Sequence, residues 1–194
     1  MCLGMTVNKD LIGNLIIYIV DYCKNISMPL YQTKLLKLLY LIDEESVRQN
    51  GTPITWLEYD VWQKGPVPSD IYLSKFPNLN KVNEYVSFEE RSNKYLVVKK
   101  KEFNDGSFSE VDLDIIEKVL HVYGGKTSDE LIEITHKPGS LWSKVVEEKN
   151  IKFSQENHTS DESIDFLQLI AADDKFKRFN YWAARECLET NLAL

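Results

Sequence analysis

The chain has 194 residues, of which 43% are hydrophobic, 11% aromatic and 27% charged. This length allows one buried core, and this composition excludes an intrinsically disordered protein. The formal net charge of −7 at pH 7 gives an acidic surface that repels phosphate backbones, so sequence-independent binding to nucleic acid is not expected.

The cysteines and the first residues favour a protein of the reducing cytoplasm. Cys2, Cys23 and Cys187 are odd in number and widely spaced, which supports neither a disulfide framework nor a zinc site. The first ten residues lack the basic and then apolar layout of a signal peptide. The apolar run from Leu11 to Val20 is shorter than the ~20 residues needed to cross a bilayer, so no membrane segment is expected.

Two helices are predicted at the start of the chain. The first, from Asn8 to Cys23, carries a wide apolar stripe. The second is expected to begin near Pro29–Tyr31 and to end at Gln49, because proline suits a first turn and Gly51 suits a helix exit. Apolar residues lie on two faces of this second helix, which is typical of the central helix of a domain.

A strand is predicted over residues 55–62, because its aromatic and β-branched residues favour extended structure. Alternation places Leu57, Tyr59 and Val61 on one face of this strand. Gly65-Pro66 is expected to end the strand, and a short helix is predicted to follow, with Asp70 in its first turn.

A hairpin and five helices are predicted for the rest of the chain. The hairpin joins Tyr85–Phe88 to Tyr95–Lys99 through a turn at Ser92-Asn93. A polar loop is expected over residues 154–163. The predicted helices are Glu110–Tyr123, Thr127–His136, Ser140–Glu148, Ser160–Ala172 and Lys175–Asn191.

Capping signals support the first two of these helices. Ser109 with Asp112, and Thr127 with Glu130, have the spacing of capping boxes. The predicted fold class is α+β, mainly α-helical, with a small antiparallel β-sheet. On the last helix one stripe contains Phe176, Phe179, Trp182, Ala183 and Cys187.

The sequence contains no recognisable catalytic set. None of His121, His136 and His158 has a second histidine or cysteine at i+3 or i+4, so no metal site is indicated. We expect His121 to be structural and His136 to meet the carbonyls at its helix end. Nucleotide-binding glycine loops, a nucleophile elbow and a zinc-protease motif are all missing from the sequence. No enzyme activity, metal or cofactor is therefore predicted.

The acidic residues of the first half are interpreted as solvent-facing charges. Glu58 and Asp60 lie two residues apart on the predicted strand, and a paired-carboxylate site would need them in a cleft with one raised pKa. Two exposed charges, or an ion pair with Lys64, is the simpler interpretation. The run Asp43–Glu45 is likewise expected to be solvated.

The stretch VWQKGPVPSDIY, residues 61–72, combines one glycine with two prolines. An anion cradle needs several converging N–H groups, and prolines have none. We therefore interpret the stretch as a rigid corner between a strand and a helix. Its stiffness would hold Trp62 and Val67 in place, which suits a partner surface that loses little entropy on binding; a purely structural role is the alternative.

Three segments together resemble the Panacea-domain antitoxin family, also described as SocA-like or phage-associated proteins. They are KLLKLLYLIDEE (34–45), GTPITWLEYDVWQKGPVPSDIY (51–72) and SDELIEITHKPGSLWSKV (128–145). Two positions depart from the family pattern, because Lys64 stands where an aromatic residue is frequent and Leu141 where a proline is frequent. The matching positions are Lys37, Leu38, Leu39, Tyr40, Glu58, Trp62, Gly65, Pro66, Val67, Thr135, His136 and Trp142.

The resemblance implies a cytoplasmic antitoxin encoded beside a toxin in bacteria or phages. Such a protein neutralises its cognate toxin by direct contact, without catalysis. It further implies one domain over residues 1–194, with a motif-bearing core at about 30–148 and a helical extension at 160–192. The residues expected near the contact surface are Trp56, Tyr59, Trp62, Lys64 and Val67, with plain core packing as the alternative for the tryptophans.

Two other functions remain open from the sequence. A nucleic-acid-binding transcriptional regulator would suit the many helices, although the acidic charge opposes it. An uncharacterised enzyme would have to use Glu58, Asp60 or His136. The sequence does not predict the toxin, the stoichiometry or the oligomeric state.

Overall fold

The structure, a computed structural model, describes residues 8–72 and 82–190. The described residues form a mainly helical α+β fold with two separate antiparallel hairpins, which confirms the predicted fold class. The helices are α1 Lys9–Asn25, α2 Gln32–Asn50, α3 Glu110–Tyr123, α4 Ser128–Thr135, α5 Leu141–Glu148 and α6 Lys175–Thr190. The strands are β1 Asp60–Trp62, β2 Gly65–Val67, β3 Val86–Arg91 and β4 Lys94–Lys99, and short 3-10 turns occupy Ser69–Ile71 and Phe166–Leu169.

Helix α2 is the centre of the core. It contacts α3, α4, β2, β4 and the 3-10 turn at Phe166–Leu169, and most of its side chains are buried. The prediction of a central helix with two apolar faces is therefore confirmed. Burial of this many aliphatic groups, each contributing about 1.5–3 kcal/mol, makes α2 the main source of hydrophobic stabilisation.

Local capping signals were sufficient to place several helices. Both predicted capping boxes are present: Ser109 and Asp112 cap α3, and Thr127 and Glu130 cap α4. The side chain of Asn8 accepts hydrogen bonds from two N–H groups at the start of α1. These caps satisfy N–H groups that have no partner inside their helices.

The predicted strand over residues 55–62 is wrong in its first half. A buried carboxylate, Asp43 on α2, accepts hydrogen bonds from the N–H and hydroxyl groups of Thr55 and from the hydroxyl of Tyr59. These bonds hold the segment in an irregular path, and Trp56 has a positive φ of 54°. The expectation that Asp43 is solvated is also wrong, because its exposed fraction is 0%.

Gly65-Pro66 does not end the strand but begins a second one. The chain turns at Gln63 and Lys64, and β1 and β2 pair with Trp62 opposite Gly65. The short helix predicted over residues 66–76 is wrong at its start, where β2 extends to Val67; only the 3-10 turn at Ser69–Ile71 is helical, and residues 73–76 lie outside the described residues. The corner is therefore a tight hairpin followed by a single turn.

The second hairpin agrees closely with its prediction. Strands β3 and β4 pair with Arg91 opposite Lys94, and Ser92 and Asn93 have φ values of 51° and 62°. Two positive φ angles in a two-residue loop are typical of a type I′ turn, whose twist matches the flanking strands.

The predicted helix from Ser160 to Ala172 is wrong. The Ser160 hydroxyl donates to the carbonyl of Val61 at 2.6 Å instead of capping a helix. The segment runs beside β1, since Val61 N–H donates to the Glu162 carbonyl and Ile164 N–H donates to the Tyr59 carbonyl. These long-range bonds leave only the 3-10 turn at Phe166–Leu169 as helical structure, while the predicted polar loop over residues 154–163 is confirmed.

Helix α6 lies against the C-terminal end of α2. Lys177 Nζ donates to the Arg48 carbonyl at 2.7 Å, and a Cβ at Gly51 would lie 2.6 Å from the Lys177 carbonyl oxygen. Tyr181 is buried on the inner side of the helix. Within the part of the chain that the structure describes, no helix is long and apolar enough to cross a membrane.

Candidate functional site

Residues of the three sequence segments meet around the β1–β2 hairpin. Lys37 of α2 reaches the hairpin, where its Nζ donates to the Pro66 carbonyl at 2.6 Å. Gly65 has a φ of 96°, and a Cβ placed there would lie 2.7 Å from Thr135 Oγ1 and 3.1 Å from Lys37 Cε. Only glycine fits this point, because α2 and α4 both press against the hairpin backbone.

His136 and Trp142 form the next layer of this cluster. Their rings stack with centroids 3.8 Å apart and 15° between planes, and Trp142 Nε1 donates to the Trp62 carbonyl at 2.9 Å. This bond ties α5 to the end of β1. Burial, and then the charge of Lys37, lower the pKa of His136 to about 4, so the imidazole is neutral at pH 7.

The expected contact between His136 and helix carbonyls is replaced by this stacking. The His136 backbone N–H donates to the Ile132 and Ile134 carbonyls at the end of α4, whereas its ring lies on Trp142. Its Nε2 is buried and has no hydrogen-bond partner among the described residues.

Lys37 is a buried amine that forms no ion pair with an acid among the described residues. Its side chain is 1% exposed, and burial followed by repulsion from Lys64 lowers its pKa to about 7. Among the described residues, the uncharged Pro66 carbonyl is its hydrogen-bond acceptor. This environment destabilises the ammonium form relative to an exposed lysine.

A cavity of about 340 Å³ opens beside Lys37. Its walls combine apolar side chains with two lysines, and Trp62 and Tyr72 meet edge to face there with ring centroids 4.9 Å apart. The lining residues are Thr33, Leu36, Lys37, Trp62, Gln63, Lys64, Val67, Tyr72 and His158. None of them is acidic, although the chain has 30 acidic residues against 23 Lys and Arg.

The five residues expected near a contact surface lie at different depths. Tyr59, Trp62 and Val67 are buried, although Trp62 and Val67 also line the Lys37 cavity. Trp56 is half-buried, with its ring 5.4 Å from that of Tyr181 on α6. Lys64 is exposed at the tip of the β1–β2 turn. A role for these residues at an interface stays a prediction.

Glu58, His121 and His158 lie outside this cluster, whereas Asp60 is half-buried on β1 opposite Val67. Glu58 is exposed and borders a separate groove of about 190 Å³ beside Tyr181 and Arg185. His121 is exposed on α3, and His158 lies next to Gln63 at the rim of the Lys37 cavity. In the described ranges no three His, Cys, Asp or Glu side chains are close enough together to hold a metal ion.

Two features could not be read from local patterns. His158 and Thr33 reach the Lys37 cavity from opposite halves of the chain, and no spacing in the sequence indicates that approach. The sequence indicated the apolar stripe of α6, but it did not indicate that this stripe is exposed. Phe176, Phe179 and Trp182 are 75%, 70% and 50% exposed, and we call these three residues the α6 aromatic face.

A comparison with protein families finds one match. The family model described as "Antitoxin SocA-like, Panacea domain" matches residues 35–143, a range that includes the cluster from Lys37 to Trp142. No curated protein and no solved structure matches the chain.

Proposed function

The chain belongs to the SocA-like antitoxin family with a Panacea domain, and on that premise we propose that it neutralises a cognate protein toxin by direct protein–protein contact. The protein would act in the cytoplasm of a bacterium or on behalf of a phage, as one half of a toxin–antitoxin pair. Neutralisation requires binding and no catalysis.

The α6 aromatic face carries this proposal. All three aromatic side chains that are strongly exposed among the described residues lie on this one helix. Large aromatics are the usual anchors of protein interfaces, since each buries about 150–250 Å² with few rotatable bonds. A monomeric protein gains nothing from leaving such area in water, so a bound partner is the simplest reason for it.

Of the predicted contact residues, Trp56 lies next to α6. Its half-buried ring packs on Tyr181 and lines the groove beside Arg185. Lys64 belongs to the opposite side of the β1–β2 hairpin, at the Lys37 cavity. We therefore place the main contact on α6 and Trp56.

The test is co-expression with the protein encoded by the neighbouring gene. We expect that protein to be toxic alone, to be harmless when this chain is present, and to copurify with it. A triple variant, Phe176→Ser, Phe179→Ser and Trp182→Ser, should lose both rescue and copurification. Its thermal midpoint should stay close to that of the wild type, because exposed side chains contribute little to folding.

The matched control changes exposed apolar residues elsewhere. Val111 and Val122 of α3 are 51% and 52% exposed, so Val111→Ser with Val122→Ser removes exposed apolar side chains from a different helix. This control should keep full rescue. A neighbouring protein that is harmless alone, or that never copurifies, would overturn the proposed function; a triple variant that still rescues would remove α6 from the interface.

A further inference from the structure

The Lys37 cavity has a cationic floor that lacks a counter-ion. Lys37 is buried, Lys64 adds a second positive charge to the wall, and none of the described lining residues is acidic. Neither lysine forms an ion pair within the described residues, and Lys37 donates only to the neutral Pro66 carbonyl there. A buried cation without an anion is unfavourable, so this arrangement suits an anion supplied from outside.

Most of the other lining side chains are apolar, and Thr33, Gln63 and His158 add polar groups. Leu36, Val67 and the rings of Trp62 and Tyr72 surround the space above Lys37. A volume of about 340 Å³ is at the small end of the range for ligand pockets and corresponds to a group of about the size of one large amino acid. The ligand that fits is therefore an anionic group on a compact apolar body.

The donors present favour a carboxylate over a phosphate. Phosphate sites commonly combine several donors, such as arginine forks or converging N–H groups, and the described lining contains no arginine. Lys37 stands beside Pro66, which has no N–H to offer. A single buried ammonium with a second lysine at the rim can satisfy one carboxylate through charge-assisted hydrogen bonds.

We propose that this cavity binds a monocarboxylate, with the carboxylate at Lys37 and its apolar body between Trp62 and Tyr72. The carboxylate comes either from a free organic acid or from the C-terminal residue of a protein segment. The inference is independent of toxin neutralisation, because the α6 aromatic face contributes no residue to the cavity.

Calorimetric titration of the purified chain at pH 6.5 tests this site. The probes are 3-phenylpropionate, its neutral analogue 3-phenylpropionamide, and the peptide acetyl-Gly-Gly-Phe as free acid and as amide. We expect each acid to bind at least about tenfold more tightly than its amide, since only the acid pairs with Lys37. A tighter peptide acid identifies a protein C-terminus as the source, and a tighter 3-phenylpropionate identifies a small organic acid.

Helix α2 supplies a matched control for the lysine. Lys34 is also buried and also donates to a backbone carbonyl, that of Gly124 at 2.6 Å, but it does not line the cavity. Lys37→Met should weaken the acids by at least about tenfold, whereas Lys34→Met should leave their affinity unchanged. Lys64→Gln, at an exposed position, should weaken them by a smaller factor and gives a second readout if Lys37→Met does not fold.

Three outcomes would overturn the inference. The site is refuted if the folded wild-type chain shows no binding of either acid at millimolar concentration, or binds acid and amide equally. Unchanged affinity in both Lys37→Met and Lys64→Gln would refute it as well. Failure here leaves toxin rescue by the wild-type chain unaffected, so the two proposals are tested separately.

Discussion

At the scale of single residues, Gly65 is a position that only glycine fits. Alanine at this position must adopt a φ of 96° and place its Cβ 2.7 Å from Thr135 Oγ1. We expect Gly65→Ala to lower the free energy of unfolding by about 2–4 kcal/mol, combining backbone strain with the clash. Gly139 has a φ of 82° but open space around it, so Gly139→Ala should show the strain alone, about 1–2 kcal/mol. Equal losses in urea unfolding would show that the clash relaxes freely.

Asp43 should make stability fall as the pH rises through the weakly acidic range. Burial raises its pKa from 3.8 to about 6, against the hydrogen bonds from Thr55 and Tyr59 that favour the charged form. Between these values the folded chain holds a proton that the unfolded chain has lost. The stabilising contribution is therefore fully present below pH 3.8 and is lost as the pH rises through 6.

His136 acts in the opposite sense over nearly the same window. Its pKa falls from 6.5 to about 4 on folding, so the unfolded chain binds more protons and stability rises with pH between these values. We expect the two effects to offset each other in the wild type. Relative to the wild type, the unfolding free energy measured between pH 4 and 6.5 should increase with pH in Asp43→Asn and decrease with pH in His136→Gln. Identical slopes in all three proteins would contradict this account.

Among the elements, the β3–β4 hairpin has a turn that can be improved. Ser92 and Asn93 both hold positive φ angles, a conformation that asparagine and glycine tolerate best at these two positions. We expect Ser92→Asn with Asn93→Gly to stabilise the chain by about 0.5–1 kcal/mol, measured as a higher thermal midpoint. A lower midpoint would indicate that the original side chains make stabilising contacts of their own.

The elements also show what local sequence can and cannot predict. Helices α3 and α4 were predicted closely, because Ser109 and Thr127 cap them through residues three positions away. The first half of the strand predicted over residues 55–62 is irregular, because the Thr55 N–H group donates a hydrogen bond to Asp43, 12 residues away. The helix predicted from Ser160 does not form for a similar reason, since the Ser160 hydroxyl donates a hydrogen bond to a carbonyl 99 residues away. Secondary-structure propensity reflects interactions between residues that are close in sequence, whereas these two segments take their conformation from hydrogen bonds with distant residues.

The candidate site was likewise predictable only in part from the sequence. The three motifs named Lys37, Gly65, Pro66, Thr135, His136 and Trp142, and the structure brings all six together. Their chemistry was not predictable, because the low pKa of Lys37 depends on burial that no single motif encodes. The cavity depends in addition on Tyr72 and His158, and no sequence pattern indicated that these two residues approach Lys37.

At the scale of the whole molecule, the C-terminal segment completes the core. Phe166 lies 5.7 Å from the Tyr40 ring and 5.6 Å from the Tyr59 ring, and Ile164, Ile170 and Tyr181 are also buried. A chain ending at Lys149 would therefore expose the aromatic centre of the domain and the edge of β1. We expect this truncation to abolish cooperative urea unfolding, as followed by circular dichroism.

A point variant distinguishes the effect of deleting the C-terminal segment from the effect of removing the Phe166 ring alone. Phe166→Ala should retain a cooperative transition but lower the free energy of unfolding by about 3–5 kcal/mol, since a buried aromatic ring is removed. A truncated chain that unfolds cooperatively at the wild-type midpoint would mean that residues 150–194 are an independent addition to the family domain.

The exposure of Trp182 provides the molecule with an intrinsic optical reporter. Of the four tryptophans, Trp182 alone is exposed, since Trp62 is buried and Trp56 and Trp142 are half-buried. A protein that covers α6 would move its indole out of water and shift the fluorescence emission to shorter wavelength. A small ligand beside Lys37 would instead quench Trp62, so one unlabelled sample distinguishes the two kinds of binding by colour and by intensity.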